Sequence, residues 1–136
     1  MNYRVVEKLN GIQLEELKQL FKNEWWTQER KSPDIEQMVE NSTVVIGLIE
    51  EETGKLAGFA RAISDTIYRA IIFDVIVHQD NRNNGLGILL MESMMNHPLI
   101  QKAERIELYC PDSLISYYEK FGFTTNVNGS NLMRRK

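Results

Sequence analysis

The stretch Val75-Ile-Val-His-Gln-Asp-Asn-Arg82-Asn-Asn-Gly85-Leu-Gly87-Ile-Leu-Leu-Met91 changes period halfway along. Its first residues continue a β-branched run that begins at Tyr68. Its last residues place Leu86, Leu89, Leu90 and Met94 on one helical face. A strand therefore passes through a polar loop into a helix, and the loop carries Arg82-x-x-Gly85-x-Gly87. A helix start leaves backbone N–H groups unpaired and presents the positive end of its dipole. Glycines let an anion approach those groups, and an arginine can add a bidentate contact. The loop from Arg82 through Asn83, Asn84, Gly85, Leu86 and Gly87 to Ile88 is thus a candidate phosphate cradle. Read alone, it also fits a glycine-rich turn with no ligand. The dinucleotide fingerprint is excluded because Leu90 stands where its third glycine belongs. A P-loop is excluded because Ile88 follows Gly87 where a lysine is needed.

Working outward, residues 3–8 read as a strand broken by Asn10-Gly11. Leu17, Leu20, Phe21 and Trp25 recur at helical spacing from Ile12 to Trp25, and a second helix is expected at Asp34–Glu40 after Ser32-Pro33. Thr43–Glu50, Leu56–Ile63 and Tyr68–Val77 form a meander with short turns. After the glycine loop, His97-Pro98 stops the helix. Arg105–Cys110 reads as a strand, Ser113–Phe121 as a helix ended by Gly122, and Phe123–Val127 and Leu132–Arg135 as final strands. The expectation is an α/β (α+β) domain over residues 1–136: a mixed, mostly antiparallel sheet of about six to seven strands with about four helices.

The bulk numbers narrow the function. A length of 136 residues with 43% apolar side chains supports one packed core. Cys110 is the single cysteine, so no intramolecular disulfide forms. A net charge of −3 argues against nucleic acid as main partner. No apolar run approaches the ~20 residues of a membrane span, and Met1–Leu9 lacks the apolar centre of a signal peptide. A cytoplasmic protein, monomer or homodimer, is expected. His78 and His97 have no metal-ligand company, so no metal is expected.

The loop matches the motif Gln/Arg-x-x-Gly-x-Gly/Ala of the GNAT superfamily of acetyl-CoA-dependent N-acetyltransferases. Tyr117-Tyr118-Glu-Lys-Phe-Gly122-Phe123 resembles that family's second signature. Both occur in the family's order and element context, and the resemblance runs from Arg4 to Arg134. Ala62-Ile-Ser-Asp65 and Asp74-Val-Ile-Val77 also look like bacterial and plastid members near the arylalkylamine acetyltransferases. The resemblance implies acetyl-CoA as cosubstrate, its pyrophosphate on the loop amides. It implies direct attack by an amine in a ternary complex. It also implies that the backbone of Val75, Ile76 and Val77 contacts the pantetheine arm and polarises the acetyl carbonyl. One departure is visible. Many members carry an asparagine where this chain reads Cys110-Pro111-Asp112-Ser113, and Asp112 is expected to cap the helix instead.

Two side chains are candidates for proton transfer. Tyr118 occupies the position of the family's tyrosine and is the candidate general acid for the leaving thiolate. It also fits a core aromatic, because Leu114, Tyr118 and Phe121 share a helical face. Tyr117 reads as packing. Asp74 interrupts the apolar strand Ile71–Val77. With plain alternation it shares a face with Ile72 and Ile76, where apolar surroundings would raise its pKa and make it a base. Its alternatives are an anion paired with Arg61 or Arg69, and a wall of the acceptor site. Trp25, Trp26 and Arg30 lie where the resemblance puts the acceptor pocket. Adjacent tryptophans point about 100° apart on a helix, so one is free to line it. Cys110 reads as a small buried side chain. A small-molecule amine is the expected acceptor. A protein lysine or N-terminus, or a non-catalytic acetyl-CoA-binding module, is the alternative.

Overall fold

A computed structural model describes residues 2–136. The chain begins with β1 (Tyr3–Val6) and then α1 (Gly11–Lys22), which opens with a reciprocal cap. The Asn10 side chain accepts from the Gln13 amide at 2.8 Å, and the Gln13 side chain accepts from the Asn10 amide at 3.0 Å. The helix stops at Lys22, three residues short of Trp25. α2 (Ser32–Glu40) carries Pro33 in its first turn, where no N–H is needed. β2 (Val44–Glu50), β3 (Leu56–Ser64) and β4 (Arg69–Val77) form the meander. Then come α3 (Leu86–Met95), α4 (Pro98–Gln101), β5 (Arg105–Glu107) and α5 (Ile115–Glu119).

The five strands lie in sequence order, antiparallel except for β4 and β5. That pair is parallel, because α3 and α4 cross over between them. Helices cover both faces of the sheet, so β2 is buried along almost its whole length and reads as a continuous apolar run. On one face, Leu17, Leu20 and Phe21 of α1 and Ile35 of α2 pack on Val45, Ile49, Phe59 and Ile76. On the other, Leu90, Met91 and Met94 of α3 pack on Ile46, Leu48, Ala60 and Ile72.

Three expectations are corrected. The sheet has five strands among the described residues rather than six to seven. The segments expected as strands at Phe123–Val127 and Leu132–Arg135 stay outside it. Their turn does form: Asn128 and Gly129 both have positive φ, 58° and 78°, and the Ser130 amide donates to the Val127 carbonyl at 3.2 Å. The arms form no ladder: Val127, Leu132 and Met133 stay exposed while Phe123 packs on the core, and an isolated two-strand ribbon is marginal in water. β5 ends at Glu107 rather than Cys110 because its ladder with β4 stops at the Ile71–Glu107 pair. The last helix is shorter than expected, with Asp112–Leu114 forming a separate 3-10 turn.

Candidate active site

The site begins with a bulge in β4. Phe59 of β3 faces Ile76, but Arg61 faces Phe73, so β4 has one residue more than β3 over this stretch. The extra residue is absorbed at Asp74, whose φ is 57°. Aspartate enters this left-handed region more readily than most side chains. The bulge breaks the alternation expected from the sequence. Ile72 packs beneath α3, whereas Ile76 packs beneath α1. Asp74 is therefore buried against two arginines rather than left alone on an apolar face. Arg30 donates to both of its oxygens, at 2.8 and 3.0 Å, and the Arg61 Nε donates to one of them at 2.7 Å. Of the two partners expected from the sequence, Arg61 is in place and Arg69 pairs with Glu107 instead.

The charge state follows. Burial alone pushes the Asp74 carboxyl up, and it is the largest single influence. The hydrogen bonds and charges of Arg30 and Arg61 together outweigh it and hold the group below its ordinary value. The expected raised pKa is thus overturned, and with it the reason for reading Asp74 as a base. Nor does Asp74 offer a free charge to a cationic amine, since two arginines occupy it.

Beyond Ile71, β4 continues to Val77 with no β5 partner among the described residues. The strand's edge at Val75, Ile76 and Val77 opens there, and the chain turns into the glycine loop. Gln79–Asn81 forms one 3-10 turn, capped by the His78 Nδ1. Asn81 is buried and donates from its amide to the Tyr3 hydroxyl at 3.1 Å and to Glu50 at 3.0 Å. It ties the loop to β1 and β2. Nothing in the sequence marked Asn81, one asparagine among three in a polar loop.

Gly85, with φ of 73°, is the N-cap of α3, and no side chain caps that helix. The first intrahelical bond runs from the Leu89 amide to the Gly85 carbonyl, so the amides of Leu86, Gly87 and Ile88 have no intrahelical partner. They border an open cleft of about 200 Å³ lined also by Val77, Arg82, Asn83 and Tyr117. The two glycines differ in purpose. A Cβ on Gly85 would meet open space but would be strained by the positive φ. A Cβ on Gly87 would lie 2.5 Å from the Tyr117 hydroxyl. Tyr117, read from sequence as packing, thus lies directly against the loop.

Tyr118 is buried behind it, in edge contact with Tyr117 at 5.1 Å and Phe123 at 6.4 Å. Burial, then the neighbouring Tyr117 and Cys110, push its phenol up to about 12. Tyr118 therefore keeps its proton at neutral pH. Leu114 does not share its buried face, being 41% exposed. Cys110 is only partly buried, and desolvation followed by the Asp112 charge raises its thiol pKa. Such a thiol is a poor nucleophile at neutral pH. Asp112 caps no helix, since α5 has no side-chain cap.

The sequence matches the acetyltransferase (GNAT) family over residues 12–123. The chain belongs to that family. The uncharacterized N-acetyltransferase ycf52 of Pyropia yezoensis is 32% identical over 121 residues, which is 88% of this chain and 69% of the algal protein. GCN5-related N-acetyltransferase 1, chloroplastic, of Arabidopsis thaliana is 27% identical over 88% of this chain and 60% of its own length. The crystal structure of a GNAT-family protein from Xanthomonas campestris pv. campestris superposes with a TM-score of 0.85 at 27% identity. It covers 100% of this chain and 94% of that one.

Within this GNAT domain, the segment joining α1 to α2 crosses in front of β4. Thr27 is buried and its hydroxyl donates to the Phe21 carbonyl at 2.7 Å. Arg30 stacks on the Phe21 ring at 4.8 Å and reaches Asp74. Trp25 and Trp26 are 82% and 43% exposed. Neither enters the core, contrary to what their helical spacing suggests, because α1 ends before them. Arg82 also departs from expectation. Its Nε donates to the Val77 carbonyl at 3.3 Å and its guanidinium pairs with Glu24 at 2.5 Å. Glu24 carried no signal in the sequence. No helix among the described residues is long and apolar enough to cross a membrane, and no group of three or more His, Cys, Asp or Glu side chains converges there.

Proposed function

We propose that this GNAT enzyme transfers the acetyl group of acetyl-CoA to a primary amine of a small molecule, by direct attack within a ternary complex. The carrying observation is the row of unpaired α3 amides, Leu86 to Ile88, bordering a cleft where β4 has left β5. Those amides and the helix dipole suit the coenzyme's pyrophosphate. Acetyl-CoA supplies the activated thioester. In this reading the backbone of Val75, Ile76 and Val77, which has no β5 ladder, binds the pantetheine arm and polarises the carbonyl. Tyr118, neutral at physiological pH, donates its proton to the departing thiolate. Asp74 acts as a fixed anion that holds the bulge and, through Arg30, the segment bearing Trp25 and Trp26. Deprotonation of the amine is left to solvent in this reading.

The test is thiol release from acetyl-CoA with a panel of arylalkylamines, alkylamines, aminoglycosides, amino acids and lysine peptides. Turnover with a small amine supports the reading. Turnover with lysine peptides alone would transfer the activity to protein substrates, and coenzyme binding without turnover on any amine would make the chain a binding module.

A further inference from the structure

Arg82 is the cationic member of the phosphate motif, yet its guanidinium is already matched by a carboxylate from elsewhere in the chain. Glu24 lies 58 residues away, at the start of the α1–α2 segment, and its side chain is only 18% exposed. The Arg82 Nε is simultaneously held by the Val77 carbonyl at the end of β4. One arginine thus joins three parts of the site: the end of β4, the glycine loop and the segment in front of the acceptor side. Two other side chains tie that segment down, Thr27 on the Phe21 carbonyl and Arg30 on Asp74. Both lie after Trp25 and Trp26, so the Glu24–Arg82 pair is the side-chain anchor that precedes the tryptophans, beside the bond from the Glu24 amide to the Phe21 carbonyl at 3.4 Å.

We propose that the Glu24 carboxylate competes with the pyrophosphate of the cosubstrate for Arg82. Binding at the loop then frees the start of the Trp25–Trp26 segment, and Glu24 is the positioning residue that links the two substrates' sites. The inference rests on the acetyl-CoA reading above. The physical basis is exchange of like for like. A carboxylate and a phosphate present similar paired oxygens to a guanidinium fork, and the pyrophosphate as a whole carries more charge and also engages the α3 amides. The Arg82 side of the pair is half exposed, so an anion arriving from solvent reaches the guanidinium and can displace Glu24. Linkage then works both ways: whatever loosens Glu24 from Arg82 strengthens binding at the loop.

The chain has two tryptophans, and both directly follow Glu24. Tryptophan emission therefore reports on this segment alone. The experiment titrates CoA by calorimetry into the wild type, Glu24→Gln, Arg82→Gln and the double variant, and follows emission in parallel. CoA is expected to change the wild-type emission. Glu24→Gln is expected to bind CoA about 3–10-fold more tightly, the scale of one weak ion pair. That gain should vanish in the Arg82→Gln background. Arg82→Gln alone should already show the altered emission without CoA, and it carries the test if Glu24→Gln folds poorly. Absence of CoA binding to the wild type would overturn the acetyl-CoA reading and this inference with it. Binding with unchanged emission would overturn the inference alone. So would a Glu24→Gln gain that persists without Arg82, because the effect would then be a general field of the carboxylate.

Discussion

Arg30 grips both carboxylate oxygens of Asp74 across 44 residues of sequence, at 2.8 and 3.0 Å, and Asp74 stands at the one bulge of β4. The contact fixes an α1–α2 segment that lacks regular structure. It also spends the charge of the one acidic residue inside β4 on architecture. Asp74→Asn should therefore behave as a stability variant. Removing one partner of a buried pair costs about 2–4 kcal/mol when a partner such as Arg30 retains some solvent, or roughly 6–12 °C in Tm for a chain of this size. Thermal denaturation measures it. A rate loss that recovers at high pH with an unchanged Tm would instead make Asp74 a base.

The same contacts make Asp74 one contributor to the acid sensitivity of the fold. Asp74 has a folded-state pKa below its unfolded value of ~3.9. Its contribution is therefore fully present above pH ~4 and is lost as pH falls through the folded-state value. Wild-type stability should drop on acidification below about pH 4 more steeply than that of Asp74→Asn. Denaturant midpoints between pH 2 and 6 check this, and parallel curves would contradict it.

Gly87 and Tyr117 form a testable steric couple. Gly87→Ala places a methyl 2.5 Å from the Tyr117 hydroxyl and should displace the ring into the cleft. Overpacking of this kind costs about 1–3 kcal/mol, and CoA binding should weaken by about tenfold or more. Adding Tyr117→Phe removes the clashing oxygen and should restore most of the affinity. No rescue in the double variant would mean that the loop backbone, not the ring, has moved.

Tyr118→Phe keeps the ring packing against Tyr117 and Phe123 and removes the proton donor. Turnover should fall by ~100-fold or more with little change in the KM for acetyl-CoA. With the phenol at about 12, wild-type activity should show no loss from Tyr118 ionisation up to pH 10. A steady-state pH profile tests both points. An unchanged kcat in the variant would remove Tyr118 from the mechanism.

The glycine loop, the meander and four of the five helices were legible because each follows from local period or from a residue type with few conformational uses, whereas the short α4 at Pro98–Gln101 read only as a helix stop. Gly85 at positive φ is such a case. The bulge was not legible. One extra residue in β4 is invisible in an apolar run, yet it sends Ile72 and Ile76 to opposite faces and turns Asp74 towards Arg30. The partners of Arg82 and Asn81 were hidden for another reason. Glu24 and Glu50 are distant in sequence, and one carboxylate looks like another until the fold brings it near. The C-terminal strands failed differently: Asn128-Gly129 does turn, but Phe123 of one arm packs on Tyr118 while Leu132 and Met133 of the other stay exposed, so no ladder follows the turn.

The central claim is that the amides of Leu86, Gly87 and Ile88 bind a pyrophosphate. The most direct measurement is calorimetric titration of the protein with CoA and, separately, with pantetheine, which lacks the nucleotide and its phosphates. CoA is expected to bind at least tenfold more tightly, with an advantage that shrinks as salt rises. Equal affinity for the two would contradict the assignment of the loop.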